Sequence, residues 1–381
     1  MIMPIELEES TKEHKGTYSF EITTTNNCNF RCSYCFEKGF CAEKPLINSE
    51  IISKRVNELF EQDWFKEKYS CIKLHFWGGE PTLNSKLIKD LIFEFENDPR
   101  VCFFVYTNGS TLCKFLPIFK SIKDNPVNSS QNKKIDVQIS YDGNPIHDLR
   151  RVDSFDIGTS FIVKDAIRQI AKSGVKFGLK STVIWKDYEL IPKAWDDIEF
   201  LHDHYSDTIR YSLTVDYYNV NITPYWKKVE DTLIKIAQKE WDFYTRHGYL
   251  LSNIFRSSGR AVCSTGKHML AINTNGDIFY CHGGIYSKCS EELKYSNIFD
   301  DNFINSIREV NELIDNEFEP EECRQCISQS CLRCNVKKYE ESNKHHFKDR
   351  WFDYTDQEQL CKYYRMVEKV GQALKDVIKE K

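Results

Sequence analysis

The sequence predicts an α/β fold, a parallel sheet with helices on its outer side. Two observations predict it. From about residue 18 to 220, short stretches rich in β-branched and aromatic residues alternate with longer stretches of helical periodicity. Six such strand–helix units follow one another, and repeated βα units are the pattern of a parallel sheet.

Each element has its own signal. Tyr18 to Thr25 alternates and reads as the first strand. Asn48 and Ser49 can cap a helix running to about Lys68, with Ile51, Ile52, Val56, Leu59 and Phe60 on its apolar face. Lys73 to Trp77 is a strand, Leu87 to Phe95 a helix, and Val101 to Tyr106 the third strand. Leu112 to Ile122 is expected to be helical despite Pro117, and a polar loop over residues 124–134 leads to the strand Ile135 to Ser140. Ser160 to Ser173 is a helix stopped by Gly174, Lys176 to Ile184 a strand, Glu189 to His202 a helix, and Ile209 to Asp216 the last strand. A long helix from about Trp226 to Arg246 follows. Tyr218, Tyr225, Trp226 and Trp241 read as its packing residues rather than the lining of a substrate mouth.

Three cysteines, Cys28, Cys32 and Cys35, lie on the loop after the first strand. Three thiolates at this spacing can hold three irons of a [4Fe–4S] cluster and leave the fourth iron open. Clusters that only carry electrons normally have four protein thiolates. The bland alternative is three ordinary thiols brought together by chance. A zinc knuckle fits less well, because zinc takes a closed set of four ligands and no histidine lies nearby in the sequence. Downstream, the second strand runs into Gly78-Gly79-Glu80-Pro81, the third into Thr107-Asn108-Gly109, and the fourth into Ser140-Tyr141-Asp142-Gly143. Any one of these segments alone reads equally well as ordinary turn chemistry.

Together, and with Tyr34 before the last cysteine, these segments resemble the radical S-adenosylmethionine (radical SAM) enzymes, whose signature is Cys-x3-Cys-x2-Cys. The resemblance implies a partial (β/α)6 TIM-like barrel and a cluster on Cys28, Cys32 and Cys35, with S-adenosylmethionine chelated to the open iron. It implies that one electron from the cluster cleaves this cofactor to a 5′-deoxyadenosyl radical. It also implies cofactor-contacting roles for Tyr34, Gly78, Gly79, Glu80, Pro81, Thr107, Asn108, Ser140, Asp142 and Arg150. Arg151 adjoins Arg150, so the register is open there by one residue. All these positions would fall at the C-terminal ends of strands, where parallel barrels hold their chemistry.

The last third carries Cys263, Cys281, Cys289, Cys323, Cys326, Cys331, Cys334 and Cys361. Leu270 to Cys281 reads as a hairpin with a type I′ turn at Asn275-Gly276, bringing Cys281 back towards Cys263. Cys263, Gly276-x4-Cys281, the run Cys323 to Cys334, and Cys361 resemble the SPASM extension of radical enzymes that modify peptides and proteins. This implies one auxiliary [4Fe–4S] cluster on Cys263, Cys281 and Cys334, and a second on Cys323, Cys326, Cys331 and Cys361, making three clusters in all. The gaps inside the run are each one residue shorter than usual. No cysteine closely precedes Cys263, so the first auxiliary cluster has an open iron or recruits Cys289. Structural zinc on the two Cys-x2-Cys pairs is the rival. Cys41, Cys71, Cys102 and Cys113 read as ordinary buried thiols. The expected organisation is a tail (1–17), the barrel (18–220), a linking helix (221–258), a small cysteine-rich SPASM domain with a hairpin and helices (259–370), and a second tail (371–381).

Composition bounds the function classes. Hydrophobic residues are 41%, enough for a large core, yet no apolar run approaches the roughly 20 residues needed to span a bilayer. Met1 to Gly16 lacks the apolar stretch of a secretory signal. Without an export signal, fifteen cysteines favour metal over disulfides and a cytoplasmic location. A net charge of −5 with no block of Lys and Arg argues against nucleic acid as the main partner.

The expected function is a peptide or protein maturase. Its radical would take a hydrogen atom from a ribosomally made peptide and install a C–C or thioether crosslink, with electrons from a flavodoxin- or ferredoxin-type donor. About twenty residues precede the first strand, too few for a folded leader-binding domain, so a separate leader-peptide-binding protein would supply that role or the role is absent. The runner-up is an anaerobic sulfatase-maturing dehydrogenase that forms formylglycine. That branch has an aspartate base after the hairpin cysteine, where this chain has His282, itself a candidate base. From another class, a non-enzymatic zinc or Fe–S binding module would account for the cysteines but not for Gly-Gly-Glu-Pro or the strand-end motifs.

Overall fold

The computed structural model describes residues 15–35, 37, 45–125, 134–215, 222–255, 268–286, 290–314 and 354–380. Strands β1 (Gly16–Thr25), β2 (Tyr69–Gly78), β3 (Val101–Thr107), β4 (Ile135–Ser140), β5 (Phe177–Val183) and β6 (Tyr211–Val215) lie side by side in chain order, all parallel. The intervening helices are α1 (Ser49–Glu61), α2 (Asp63–Lys68), α3 (Ser85–Phe95), α4 (Leu116–Asp124), α5 (Ile146–Arg150), α6 (Ser160–Ser173) and α7 (Ile191–Tyr205), and α8 (Trp226–His247) follows β6. The sheet does not close into a full barrel. The free side of β1 pairs with β7 (Met269–Ile272), and β8 (Asp277–Phe279) and β9 (Lys294–Asn297) continue it antiparallel. The cysteine-bearing hairpin is thus an extension of the barrel sheet. After it come α9 (His282–Ile285), α10 (Ser290–Leu293), α11 (Phe303–Ile314) and α12 (Tyr354–Lys379).

Alternation along the strands sets the two faces of the wall. Ile72, Leu74 and Phe76, Phe103 and Val105, Val137 and Ile139, and Leu179 are buried in the core. The residues between them, including Lys73, His75, Trp77, Phe104, Tyr106, Gln138, Ser140 and Lys180, are half-buried and take the other, concave face. That face is polar and aromatic, not a second apolar core.

The structure corrects several expectations. The helix expected to run to Lys68 breaks at Gln62, whose backbone is extended, and restarts as α2. Pro117 sits in the first turn of α4, where a missing N–H leaves no intrahelical bond unmade, so the helix begins at Leu116 after a 3-10 turn instead of running through from Leu112. The hairpin turn is not type I′. Ile272 pairs with Ile278, and Gly276 but not Asn275 takes a positive φ, because the Asn275 side chain holds the Asp277 N–H at 3.1 Å. Residues 371–379, expected as a tail, are the end of α12. Among the described residues no helix is long and apolar enough to cross a membrane.

Candidate active site

β1 leads into the cysteine loop, and two other segments hold that loop by their backbones. The N–H groups of Gly79 and Glu80 donate to the carbonyls of Thr25 (2.9 Å) and Asn27 (2.8 Å). On the other side, Arg31 and Ser33 donate to the carbonyls of Val152 (2.7 Å) and Arg150 (2.8 Å). The double glycine permits the first contact. Gly78 has φ +121°, and a Cβ on Gly79 would sit 2.5 Å from the Asn27 carbonyl oxygen.

Cys28, Cys32 and Cys35 are all free thiols. Burial pushes the Cys28 thiol up to about 12 and the Cys35 thiol up to about 11, with charge on the neighbouring sulfurs adding to the rise. Burial raises Cys32 too, opposed by the adjacent Arg151 guanidinium. Thiolates here therefore need a positive partner, and a bound metal deprotonates its thiols outright. The three sulfurs do not all lie within 4.8 Å of one another. Sulfur ligands of one tetrahedral zinc would lie about 4 Å apart, so the sulfurs as placed are not a ready single-ion site.

Beside the loop sits a buried ion pair. Asp142 accepts from Arg151 Nε (2.8 Å) and Nη2 (3.1 Å), from the Tyr34 hydroxyl (2.5 Å) and from the Thr182 N–H (2.9 Å). Burial alone would raise the Asp142 carboxyl. The charge and hydrogen bonds of Arg151, with His147 and Tyr34, outweigh burial and hold it below the usual carboxylate range. The Arg151 guanidinium also lies over the Tyr34 ring, 5.3 Å from its centroid. Arg150 does not reach this cluster. Its guanidinium binds both oxygens of Asp187, with Nη2 to Oδ1 at 2.8 Å. Arg151, not Arg150, is the arginine that faces the cysteines.

Glu80 takes a role that its motif did not disclose. Its buried carboxylate accepts from the Thr107 hydroxyl (2.8 Å), the Asn108 N–H (2.6 Å), the Thr82 N–H (3.2 Å) and the Thr82 hydroxyl. It ties the turn after β2 to the turn after β3. Asn108 then reaches back to the cysteine loop, donating to Asn29 Oδ1 at 3.0 Å and to Cys28 Sγ at 3.8 Å. Pro81 is buried behind this clasp, and Ser140 sits at the end of β4 in register with Lys180.

His282, directly after Cys281, packs against β1 and β2 on the concave face. Its Nδ1 lies 2.8 Å from Glu21 Oε2, and its ring stacks on Trp77 at 4.3 Å. Burial would lower the His282 pKa, but the Glu21 charge and hydrogen bond raise it. The imidazole is thus engaged with the Glu21 carboxylate. Trp77 Nε1 donates to Glu37 at 3.2 Å, and burial lifts the Glu37 carboxyl to about 7. Lys180 projects from β5 and, among the described residues, hydrogen-bonds only Ser212 (3.3 Å), and burial lowers its ammonium to about 8. Glu21 and Lys180 were not singled out from sequence, and Arg151 only as the register alternative to Arg150. A lone charge in an otherwise apolar strand, as at Glu21, is the signal that marks such a position.

Of the auxiliary cysteines, Cys281 and Cys361 are half-buried, one ahead of α9 and one in α12. Cys263, Cys289, Cys323, Cys326, Cys331 and Cys334 lie outside the described residues.

The Radical SAM superfamily model matches residues 22–184, a span that holds the cysteine loop, the double-glycine turn and the Asp142–Arg151 pair. Residues 22–184 form a radical SAM domain. Radical SAM proteins as a family use a [4Fe–4S] cluster and S-adenosylmethionine. A cysteine-type anaerobic sulfatase-maturating enzyme of Clostridium novyi is 27% identical over 169 residues, 42% of this chain and 41% of that protein. The chain spans 41%, 38% and 35% of the length of the first three curated relatives it matches. Outside the radical SAM domain the likeness is one of fold. Native anSMEcpe with bound AdoMet and Cp18Cys peptide has a TM-score of 0.68 at 17% identity, covering 96% of this chain and 99% of that one. Streptococcus suis SuiB bound to precursor peptide SuiA has a TM-score of 0.54 at 15% identity, covering 90% of this chain and 76% of that one.

Proposed function

We propose that this chain is a radical SAM maturase of a ribosomally made peptide or protein and that it installs a C–C or thioether crosslink. The observation that carries the reading is the three-thiol loop, which the Gly79–Glu80 turn and the Arg150–Val152 segment hold by their backbones beside the aromatic face of Trp77, Tyr106 and His282. When bound, the cluster and S-adenosylmethionine supply a 5′-deoxyadenosyl radical that abstracts hydrogen.

The chain's own residues do the rest. Cys28, Cys32 and Cys35 hold the cluster, Arg151 offsets thiolate charge at Cys32, and the Asp142–Tyr34 pair fixes Arg151. Tyr34, Gly78, Gly79, Pro81, Thr107, Asn108 and Ser140 border the place where the cofactor would lie, and Glu80 sets the turns that present them. The half-buried aromatic wall of Trp77, Phe104 and Tyr106 excludes water from a radical that water and stray hydrogen donors would quench. The peptides named with anSMEcpe and SuiB support a peptide substrate. We assign Cys281 and Cys361, with their partners outside the described residues, to two auxiliary clusters.

A second reading, formylglycine formation, is favoured by the likeness to the Clostridium novyi enzyme. Mass spectrometry of candidate peptides after anaerobic turnover separates the two. A crosslink removes two hydrogens and leaves the sulfur in place, whereas formylglycine formation from cysteine removes the sulfur. Deoxyadenosine without any change in a peptide or protein would refute both.

A further inference from the structure

We infer that His202, Asp203 and His247 form a binding site for a divalent transition-metal ion of the zinc type, separate from the cysteine clusters. The three residues meet where the C-terminal ends of α7 and α8 converge. Helix α7 runs antiparallel to β5 and β6, so this point lies at the opposite end of the wall from the cysteine loop.

The geometry carries the inference. His202 Nδ1 lies 2.7 Å from Asp203 Oδ1, and His247 Nε2 lies 3.6 Å from the same oxygen. One ligand atom from each residue falls within 4.8 Å of the others. Proton bookkeeping then shows what is missing among them. The Tyr249 hydroxyl has one proton and donates it to the Asp207 carbonyl at 3.2 Å. In the tautomer that keeps this bond, the 2.8 Å contact between Tyr249 and His202 Nε2 is donated by the histidine. With its proton on Nε2, neutral His202 presents a lone pair at Nδ1, facing a carboxylate oxygen at 2.7 Å. His247 Nε2 is buried, has no hydrogen-bond partner among the described residues, and faces the same oxygen.

In that tautomer His202 Nδ1 and Asp203 Oδ1 are both acceptors, and a cation bridging them would also reach His247 Nε2. A second proton on His202 would satisfy Asp203 but would leave His247 Nε2 unpartnered. A metal ion satisfies all three. Two imidazoles and one carboxylate suit zinc with a fourth position for water. The surroundings hold the ligands in place as outer-shell partners do. Tyr249 binds the far nitrogen of His202, His247 stacks on Phe243 at 4.2 Å, and Arg246 lies 3.8 Å from the other Asp203 oxygen.

The experiment is cobalt and zinc binding to the full chain, iron-loaded, beside His247→Phe and Asp203→Asn. His247→Phe keeps an aromatic ring on Phe243, and Asp203→Asn keeps the side-chain shape. The unmodified chain should bind about one zinc more than either variant, with iron content equal in all three. Cobalt at this site should show tetrahedral visible bands without thiolate-to-cobalt charge transfer, and zinc should raise the unfolding temperature of the unmodified chain only. Equal zinc in the unmodified chain and both variants, or cobalt bands of thiolate type alone, would overturn the inference.

Discussion

The Asp142 carboxylate takes both guanidinium hydrogen bonds of Arg151, at 2.8 and 3.1 Å, in a site shut off from solvent. This pair fixes the face that the segment after β4 shows to the cysteine loop. Asp142→Asn leaves the Arg151 charge buried without its counterion. The expected loss is about 3–5 kcal/mol in denaturant unfolding of the iron-free chain, together with poorer iron loading. An unchanged unfolding midpoint would show that the pair does not hold the fold.

Glu80 is predicted to act through the turns rather than by direct contact with a cofactor. In Glu80→Gln an amide NH2 replaces one oxygen that now faces donors from Thr107, Asn108 or Thr82. The chain should lose about 1–3 kcal/mol of stability even without cofactor. Full stability in the iron-free variant, with weakened cofactor binding alone, would return Glu80 to the direct-contact role that the family resemblance implies.

The strand ends that border the cysteine loop were legible from sequence because alternation and turn residues mark them locally. The arginine register was not. Helix α5 has five residues, too few for a periodicity that tells Arg150 from Arg151. Nor could the double-glycine motif show where the Glu80 carboxylate points, since two of its partners, Thr107 and Asn108, come from the end of the next strand. His202 and His247 lie on different helices, and only the packing of α7 against α8 brings them together. The break at Gln62 is a local backbone choice inside an unbroken apolar pattern.

Acid should weaken the fold through two buried histidines. Burial holds His75 and His147 at about 4, whereas an unfolded histidine titrates near 6.5. Between those values the unfolded chain binds protons that the folded chain refuses, so stability is full above about pH 6.5 and falls as pH drops towards 4. Each histidine should contribute about 2 kcal/mol of loss by about pH 5. His147→Gln, compared with the unmodified chain by urea unfolding at several pH values, should flatten the acid limb. An unaltered slope would contradict this assignment.

Lys180 should cost stability in the cofactor-free chain. Burial lowers its ammonium to about 8, against about 10.4 in an unfolded chain, so its charged form is disfavoured below pH 8. Stability therefore rises with pH between those values. Lys180→Met should stabilise the chain at neutral pH by up to about 3 kcal/mol, a gain that shrinks towards about pH 10. Destabilisation by Lys180→Met would reveal a partner for the ammonium.

The measurement that tests the central claim most directly is deoxyadenosine formation by anaerobic, iron-reconstituted protein with S-adenosylmethionine, dithionite and candidate peptides. It is run beside a Cys28/Cys32/Cys35→Ala variant, with iron and sulfide counted in both. Three clusters correspond to about twelve irons, and the variant should lose about four of them together with all deoxyadenosine. Deoxyadenosine that persists in the variant, or iron that does not fall, would contradict the claim that this loop holds the radical-generating cluster.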